Sequence, residues 1–337
     1  MTATLSRLSL LVALLASAPA SAQIFPSYGE DRAGTSGFQF LEVAVDPRGA
    51  ALGGTAVATA TDASALFWNP ALAARGGDTE LQAAHLSYHA GVSMSYLAGL
   101  RRVGPVTLGA HVQTLDSGDM QVTDEFSGPA GTGETFRYLG VAAGLTVSQA
   151  LTDLFSYGVT AKLVRESSAD VAQTVGLLDL GVGYAVGTTG AEIGVSIRNF
   201  GLNGAADGEL SRPTDDGGTA TVMDFEEIVP PTTFQLGLAY RALRSLDGHA
   251  LTLSGQLTNP NDNAEQLNVG AEYVWNDLLA VRTGYAFGVE EATTPTFGFG
   301  LALPDVTGTG ARLRADYGFT RLDRLGATHR VGVGVRF

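Results

Sequence analysis

The stretch that decides the fold is His329-Arg330-Val331-Gly332-Val333-Gly334-Val335-Arg336-Phe337. From Val331 to Phe337 the odd positions are apolar, whereas the even positions are Gly or Arg. Side chains alternate between two faces along a strand, so this period of two predicts a β-strand with one apolar and one polar face. A strand that ends on an aromatic residue is typical of bacterial outer-membrane barrels, in which aromatic residues lie at the membrane interface.

The same alternation recurs from Glu80 onward and predicts fourteen strands. Most have about nine or ten residues, the length that a tilted membrane strand needs. An even strand number is the rule for single-chain bacterial barrels. The predicted strands are residues 81–89, 92–100, 106–114, 136–149, 157–165, 172–186, 191–200, 233–241, 249–258, 266–275, 279–287, 296–303, 311–319 and 329–337. We therefore predict an all-β fold, a 14-stranded antiparallel transmembrane β-barrel.

The connections between these strands give an independent check on the strand count. If the first strand runs outward, the six periplasmic turns are all short, and the two long connections, 115–135 and 201–232, both lie outside the cell. Outer-membrane barrels have this asymmetry of short periplasmic turns and long outer loops. Charged residues on the polar strand faces, such as Glu272, Arg282 and Asp316, would then form a paired network in the lumen.

The N-terminal part predicts export and a small folded segment. Residues 1–22 have a basic Arg7, a short apolar run and a small-residue cleavage site, which together predict a signal peptide. Residues 23–79 do not alternate and predict an N-terminal plug, so residues 80–337 form the barrel. The chain has a net charge of −14 and no Cys, which argues against nucleic acid as a partner and excludes thiolate metal sites.

Three motifs in the plug segment carry a resemblance to a known family. They are Gly37-Phe38-Gln39-Phe40-Leu41, Pro47-Arg48-Gly49-Ala50-Ala51-Leu52-Gly53-Gly54 and Asp62-Ala63-Ser64-Ala65-Leu66-Phe67-Trp68-Asn69-Pro70-Ala71-Leu72. Together they resemble the N-terminal signature of the PorV/PorQ family, which is similar in fold to the FadL long-chain fatty-acid transporters. Leu72 departs from the pattern, because many relatives have Gly there. The motif residues expected to be structural are Arg48, Gly53, Gly54, Asp62, Asn69, Pro70 and Ala71.

The resemblance implies a role in type IX protein secretion. Members of the family accept the C-terminal signal domain of cargo proteins and act with translocon or attachment components. The long acidic outer loops also contain apolar residues that could anchor a partner. The candidate partner-binding residues are Asp124, Phe126, Asp215, Asp216, Met223, Phe225 and Ile228, and Phe337 is the expected membrane-insertion terminus.

The main alternative is a FadL-like transporter of hydrophobic small molecules, which requires an apolar pocket in the lumen. The inward residues read from the sequence are mostly charged, polar or Gly, which counts modestly against this alternative. His85 and His89 are predicted to share a strand face without forming a metal site. We see no catalytic constellation and expect no enzyme activity and no cofactor. The expected partners are the outer-membrane bilayer, secreted cargo, type IX components and bound lipid or detergent.

Overall fold

The computed structural model describes residues 32–123, 131–213, 219–222, 225–246, 248–304 and 310–337. Within these ranges, fourteen antiparallel strands form a closed barrel, as the sequence predicted. The strands are β1 Thr79–Ser87, β2 Ser93–Val103, β3 Val106–Asp116, β4 Tyr138–Ala150, β5 Phe155–Ser168, β6 Val171–Ala185, β7 Ala191–Gly201, β8 Thr233–Leu246, β9 His249–Pro260, β10 Gln266–Trp275, β11 Leu279–Phe287, β12 Thr296–Leu303, β13 Arg312–Leu322 and β14 Gly326–Arg336.

Each strand pairs with its neighbours in sequence, and β14 pairs with β1 to close the ring. Alternate residues face the lumen and the membrane. On β5, for example, the inward Val164 is fully buried, whereas the outward Val159 and Leu163 are 40% and 62% exposed. Because the outward positions are mainly aliphatic or aromatic, they form the apolar surface that a bilayer requires. The prediction of an outer-membrane barrel is confirmed.

The connections have the predicted asymmetry. Both long connections, 117–137 and 202–232, lie at the end of the barrel opposite the β2–β3 turn and the other short turns. The backbone N–H of Phe337 donates to Thr79 at the short-turn end. We therefore take that end as periplasmic and the other as the outer end.

Two local features differ from the sequence-based strands. His85 lies on β1, but β1 ends at Ser87, and His89 is in a 3₁₀ turn, His89–Gly91, so the prediction that both share a strand face is wrong. On β7, Asn199 has a φ of 57° and adds a bulge opposite Asp179 of β6. The bulge breaks the alternation because two consecutive β7 residues then face the lumen.

Among the described residues, six short strands lie outside the barrel ring. Gly204–Gly208 pairs with the outer end of β6 and with Glu227–Ile228. The other four form two small hairpins, and they are Met120–Gln121 with Thr135–Phe136 and Leu210–Pro213 with Thr219–Val222.

The segment before β1 folds inside the barrel as a plug, which we define here as residues 32–78. Its regular elements are short: a 3₁₀ turn Gln39–Leu41, helices α1 Pro47–Ala51 and α2 Ala65–Trp68, and a 3₁₀ helix Pro70–Arg75. Most plug side chains between residues 38 and 74 are buried. In the described part of the chain, no helix has both the length and the apolar character needed to cross a membrane.

Candidate functional site

The plug is seated against glycines that face the lumen. A Cβ added to Gly158 of β5 would lie 2.5 Å from the carbonyl carbon of Pro70, and one added to Gly318 of β13 would lie 2.7 Å from the carbonyl oxygen of Pro47. Further inward glycines at which an added Cβ would lie within 3 Å of a plug atom are Gly109, Gly140, Gly181, Gly183, Gly194, Gly237, Gly270, Gly284, Gly298 and Gly332. The plug therefore contacts the wall around most of the barrel, at positions where a larger wall side chain would not fit.

The Asn-Pro-Ala motif lies where the plug contacts the wall. The Asn69 side chain accepts a hydrogen bond from the Ala71 N–H at 3.1 Å and so caps the 3₁₀ helix that Pro70 begins. Its amide nitrogen donates to the carbonyl of Val57 in the plug and to that of Val182 on β6. Asn69 thus joins two parts of the plug to the wall.

Gly53 and Gly54, two of the motif residues, form a tight turn. Their φ angles are 68° and 86°, in the left-handed region that favours glycine. Leu52 and Gly53 lie against the backbone of β11. The carbonyl of Gly53 accepts a hydrogen bond from the Asn268 side chain of β10.

Arg48 and Asp62, the charged residues of the motifs, belong to a buried ion-pair chain. Arg48 binds Glu272 of β10 in a bidentate pair, with 2.9 and 3.0 Å between the atoms. Glu272 also binds Arg282 of β11, and Arg282 binds Asp316 of β13 at 2.7 Å. We call the complete chain the ion latch, and its members are Arg48, Glu272, Arg282, Asp316, Arg314 and Asp62.

Two plug residues begin and end the ion latch, so it fastens the plug to β10, β11 and β13. Burial alone would raise the pKa of Asp62, but Arg314 and Arg48 hold that pKa below its usual range. The carboxylate therefore stays ionised. The paired lumen network predicted from the alternation is present, but its connection to the plug through Arg48 and Asp62 was not predicted.

Asp46 is a structural residue that the sequence analysis missed. Its carboxylate caps α1 by accepting from the Gly49 N–H at 2.7 Å, and it also accepts from Trp68 Nε1 and Gln82 Nε2. The signal was present in the sequence, because Asp followed by Pro is a typical start of a helix. Asp46 therefore joins α1, α2 and β1.

A second buried charged cluster lies on β5–β7. Lys162 and Asp179 form an ion pair of 2.7 Å, and Asn199 at the β7 bulge contacts both, with its N–H donating to Asp179. Arg198 crosses to the plug, where it donates to the carbonyl of Leu41 and lies 3.8 Å from the ring centre of Phe67. The bulge brings Arg198 and Asn199 to the same side of the wall.

The outer half of the lumen is apolar on the β1–β6 side. Leu86, Met94 and Tyr96 on β1 and β2 are buried there, and Val164 and Leu177 lie on β5 and β6. We call this group the outer apolar cluster, with the wall residues Leu86, Met94, Tyr96, Ala142, Val164, Val175 and Leu177 and the plug residues Phe38, Phe40, Leu41 and Val45. The expectation that inward residues are mostly charged, polar or Gly therefore fails for this part of the lumen, because both faces of these strands are apolar.

Polar wall groups hold the plug segment that fills the outer apolar cluster. Gln113 Nε2 donates to the carbonyls of Phe40 and Val43, and Arg330 Nε donates to that of Ala44 at 2.8 Å. The Phe38 N–H donates to a carboxylate oxygen of Glu166 at 3.1 Å. The aromatic side chains are thus held in an apolar space by contacts to their own backbone.

Glu42 lies in the same plug segment, near the outer end. It accepts a hydrogen bond from Thr233 Oγ1 at 3.2 Å. Burial and the nearby carboxylate of Asp262 raise the pKa of Glu42 to about 7. The charge of this residue therefore changes near neutral pH.

The outer-loop residues proposed for partner binding are described only in part. Asp124, Phe126, Asp215, Asp216 and Met223 lie outside the described residues. Phe225 is half-buried, and the side chain of Ile228 lies against Gly37 at the start of the plug. The adjacent Val229 accepts a backbone hydrogen bond from Gly37. Ile228 therefore contacts the plug.

Phe337 follows β14 at the periplasmic end and is 60% exposed, in the position expected of an interfacial aromatic residue. Tyr240, Trp275 and Phe287 are also exposed on the membrane-facing surface of the barrel. Within the described ranges, no group of three or more His, Asp or Glu residues is arranged to hold a metal ion.

Solved structures show what this arrangement is similar to. The toluene transporter TbuX of Ralstonia pickettii aligns with a TM-score of 0.56 and 16% identity over 90% of this chain and 98% of its own. The toluene transporter TodX of Pseudomonas putida gives 0.57 and 15% over 86% and 96%. The monoaromatic hydrocarbon channel CymD gives 0.54 and 13% over 86% and 95%. The fold is that of the FadL-like outer-membrane barrels.

The FadL-like fold agrees with the broader part of the resemblance. No protein-family model matches the chain, and no curated protein matches it. The comparisons support a FadL-like barrel in the outer membrane, but they do not extend to PorV/PorQ membership, secreted cargo or translocon partners. At these identities the likeness is one of fold.

Proposed function

We propose that this chain is a FadL-like channel that takes up hydrophobic small molecules across the outer membrane. The outer apolar cluster carries the proposal. It gives the lumen the apolar compartment that such a channel requires, at the end where a molecule from the medium would enter. The solved structures of similar fold are named as toluene transporters and a monoaromatic hydrocarbon channel, which supports the same choice.

The arrangement suggests how a hydrophobic molecule would be received. Phe38, Phe40 and Leu41 occupy the apolar compartment, so an entering molecule would replace their contacts with Leu86, Met94 and Val164. A hydrophobic solute gains free energy on leaving water for this space, whereas a polar solute would lose its hydration. The compartment therefore selects by polarity. This role is transport, without a chemical reaction.

Uptake by intact cells tests this proposal. Cells that lack their own FadL-type transporters would express this chain, and uptake of radiolabelled toluene and of a hydrophilic sugar would be measured. We expect expression to increase toluene uptake and to leave sugar uptake unchanged. An equal increase for both solutes, or no increase with the barrel folded in the membrane, would contradict the proposal.

A pair of matched variants on β5 connects uptake to the lumen. Val164→Thr adds a hydroxyl to the outer apolar cluster, whereas Val159→Thr makes the same change on the membrane face. A buried hydroxyl without a partner is unfavourable by about 1–3 kcal/mol. We expect toluene uptake to fall several-fold in Val164→Thr and to stay near the wild-type rate in Val159→Thr.

A role in type IX secretion is our second candidate. It rests on the three-part plug signature, whose residues Arg48, Asp62 and Asn69 all bind the barrel wall. In this role the outer loops would bind the C-terminal signal domain of a cargo protein. Replacing both long outer loops by short Gly/Ser turns should abolish cargo capture, and capture that survives would exclude this role.

A further inference from the structure

The membrane-facing surface of the barrel contains a groove that the proposed transport through the lumen does not use. It has a volume of about 1240 Å³ and crosses β12–β14 and β1–β5 on the membrane side. Outward-facing small residues alternate in it with outward-facing Leu and Val, such as Leu97 at 61% and Leu145 at 71% exposure. The small outward residues of the groove are Ala83, Gly99, Ala110, Ala143, Ala161 and Ala315.

One part of the groove lies near the periplasmic ends of the strands. Leu81 and Gly99 lie near the periplasmic ends of β1 and β2, and Leu313 and Val335 lie next to the periplasmic ends of β13 and β14. The periplasmic leaflet of an outer membrane consists of phospholipids. The part of the groove on β13, β14, β1 and β2 therefore meets the acyl chains of these phospholipids, whereas its part at Ala143 and Leu163 lies near the middle of β4 and β5.

A cation lies at the periplasmic end of the groove. Arg101 is on the same face of β2 as Leu97 and Gly99, because it is separated from each by an even number of residues. Two residues along a strand span about 7 Å, so Arg101 lies about that far from Gly99, next to the periplasmic end of the groove. Arg101 is exposed and forms no ion pair in the described part of the chain.

An arginine that faces the lipid side without an ion pair to any described residue is free to bind an anion, and the headgroup region of the bilayer supplies phosphate. We propose that the groove and Arg101 form a binding site for one phospholipid of the periplasmic leaflet, with its acyl chains in the groove and its phosphate on Arg101. The site is independent of what passes through the lumen.

The shape of the groove argues against a second copy of the chain as its occupant. A two-fold contact places the same patch of both chains together, so one groove would face another and both would stay unfilled. Flexible acyl chains can follow a groove whose floor is made of Ala and Gly. The outward-facing residues of the groove lining are aliphatic or Gly, which fits an acyl chain in the hydrocarbon layer.

Retention of two lipids by the purified full-length barrel tests the proposal. Phosphatidylethanolamine and a diacylglycerol with the same acyl chains would be added separately in mild detergent, and native mass spectrometry would count the bound molecules. We expect the wild-type protein to retain one phosphatidylethanolamine. Arg101→Gln should weaken that binding about tenfold and leave diacylglycerol binding unchanged, because only the charge-assisted contact to phosphate is lost.

Filling the groove tests the acyl-chain part. Ala110→Leu should weaken the binding of both lipids, since it occupies the groove floor. The controls are Arg165→Gln, an outward arginine at the outer end of β5, and Ala271→Leu, an outward alanine on β10 beyond the groove. Both should bind like the wild type. The proposal is overturned if Arg101→Gln and Ala110→Leu retain phosphatidylethanolamine like the wild type, or if a dimer that Ala110→Leu disrupts forms in place of the lipid complex.

Discussion

At the scale of single residues, Glu272 is central to how the plug is held. It accepts from Arg48 of the plug and from Arg282 of the wall, and its side chain is only 10% exposed. Removing one partner of a buried ion pair leaves an uncompensated charge and typically costs about 3–5 kcal/mol. A neutral residue at this position should therefore loosen the plug from β10 while the barrel strands stay paired.

Glu272→Gln tests this role of the ion latch. We expect backbone amides of residues 46–62 to exchange with deuterium faster in the variant, because Arg48 loses its anionic partner. The control is Glu192→Gln, which breaks an ion pair with the half-exposed Arg241 at the periplasmic end. Exposed pairs contribute only about 0–1 kcal/mol, so plug exchange should stay at the wild-type rate. Equal exchange in the wild type and Glu272→Gln would contradict the latch.

The raised pKa of Glu42 predicts that the stability of the plug segment around it depends on pH. Its pKa is raised from 4.5 to about 7, so the plug state holds the proton more tightly than a solvated chain does. The resulting stabilisation is fully present below pH 4.5 and is lost as the pH rises to about 7. Protection of the Leu41, Glu42 and Val43 amides, corrected for intrinsic exchange rates, should fall between pH 5 and pH 8. Glu42→Gln cannot ionise and should show no fall; the same fall in that variant would assign the effect to another group.

At the scale of elements, the wall strands and the plug fit together through glycine. Inward glycines recur at the level of the plug, and the plug backbone comes closest at Gly158, Gly194 and Gly284. Only glycine fits at these three positions, because an added Cβ would overlap the plug backbone. The contact is one of main chain against main chain, which tolerates little change.

Gly158→Ala and Gly176→Ala form a matched pair that tests this fit. The Cβ at Gly158 would lie 2.5 Å from Pro70, whereas the one at Gly176 would meet nothing within 4 Å. Overpacking a close contact typically costs about 1–3 kcal/mol. We expect Gly158→Ala to lower the thermal unfolding midpoint of the barrel and Gly176→Ala to leave it near the wild-type value. Equal midpoints would mean that the plug adjusts without cost.

The sequence predicts the barrel well because each strand repeats the same simple alternation. The tight turn at Gly53-Gly54 and the cap at Asn69 were also predictable, since local chemistry decides them. The outer apolar cluster was not predictable from the sequence. In stretches such as Tyr96-Leu97-Ala98 both faces are apolar, so a period of two cannot show which face is inward. The pairing of Arg48 with Glu272 joins residues that are 224 positions apart, which no local pattern records.

At the scale of the whole molecule, the plug fills the cross-section of the barrel at the level of the inward glycines. Its apolar side lies against β1–β6 at the outer end, and its charged side is fastened to β10–β13. A solute that crosses the lumen must therefore displace part of the plug. This arrangement differs from that of a non-selective porin, whose lumen is a water-filled channel.

The most direct test of this account locks the plug to the wall. Thr55 of the plug and Ser254 of β9 have side-chain oxygens 2.6 Å apart, so Thr55→Cys with Ser254→Cys places two sulfurs in bonding reach in a chain that has no other cysteine. Toluene uptake by cells that express this double variant would be measured with the disulfide oxidised and after reduction. The account predicts that uptake stops in the oxidised protein and returns on reduction. Uptake that continues at the wild-type rate with the disulfide formed would contradict passage past a moving plug.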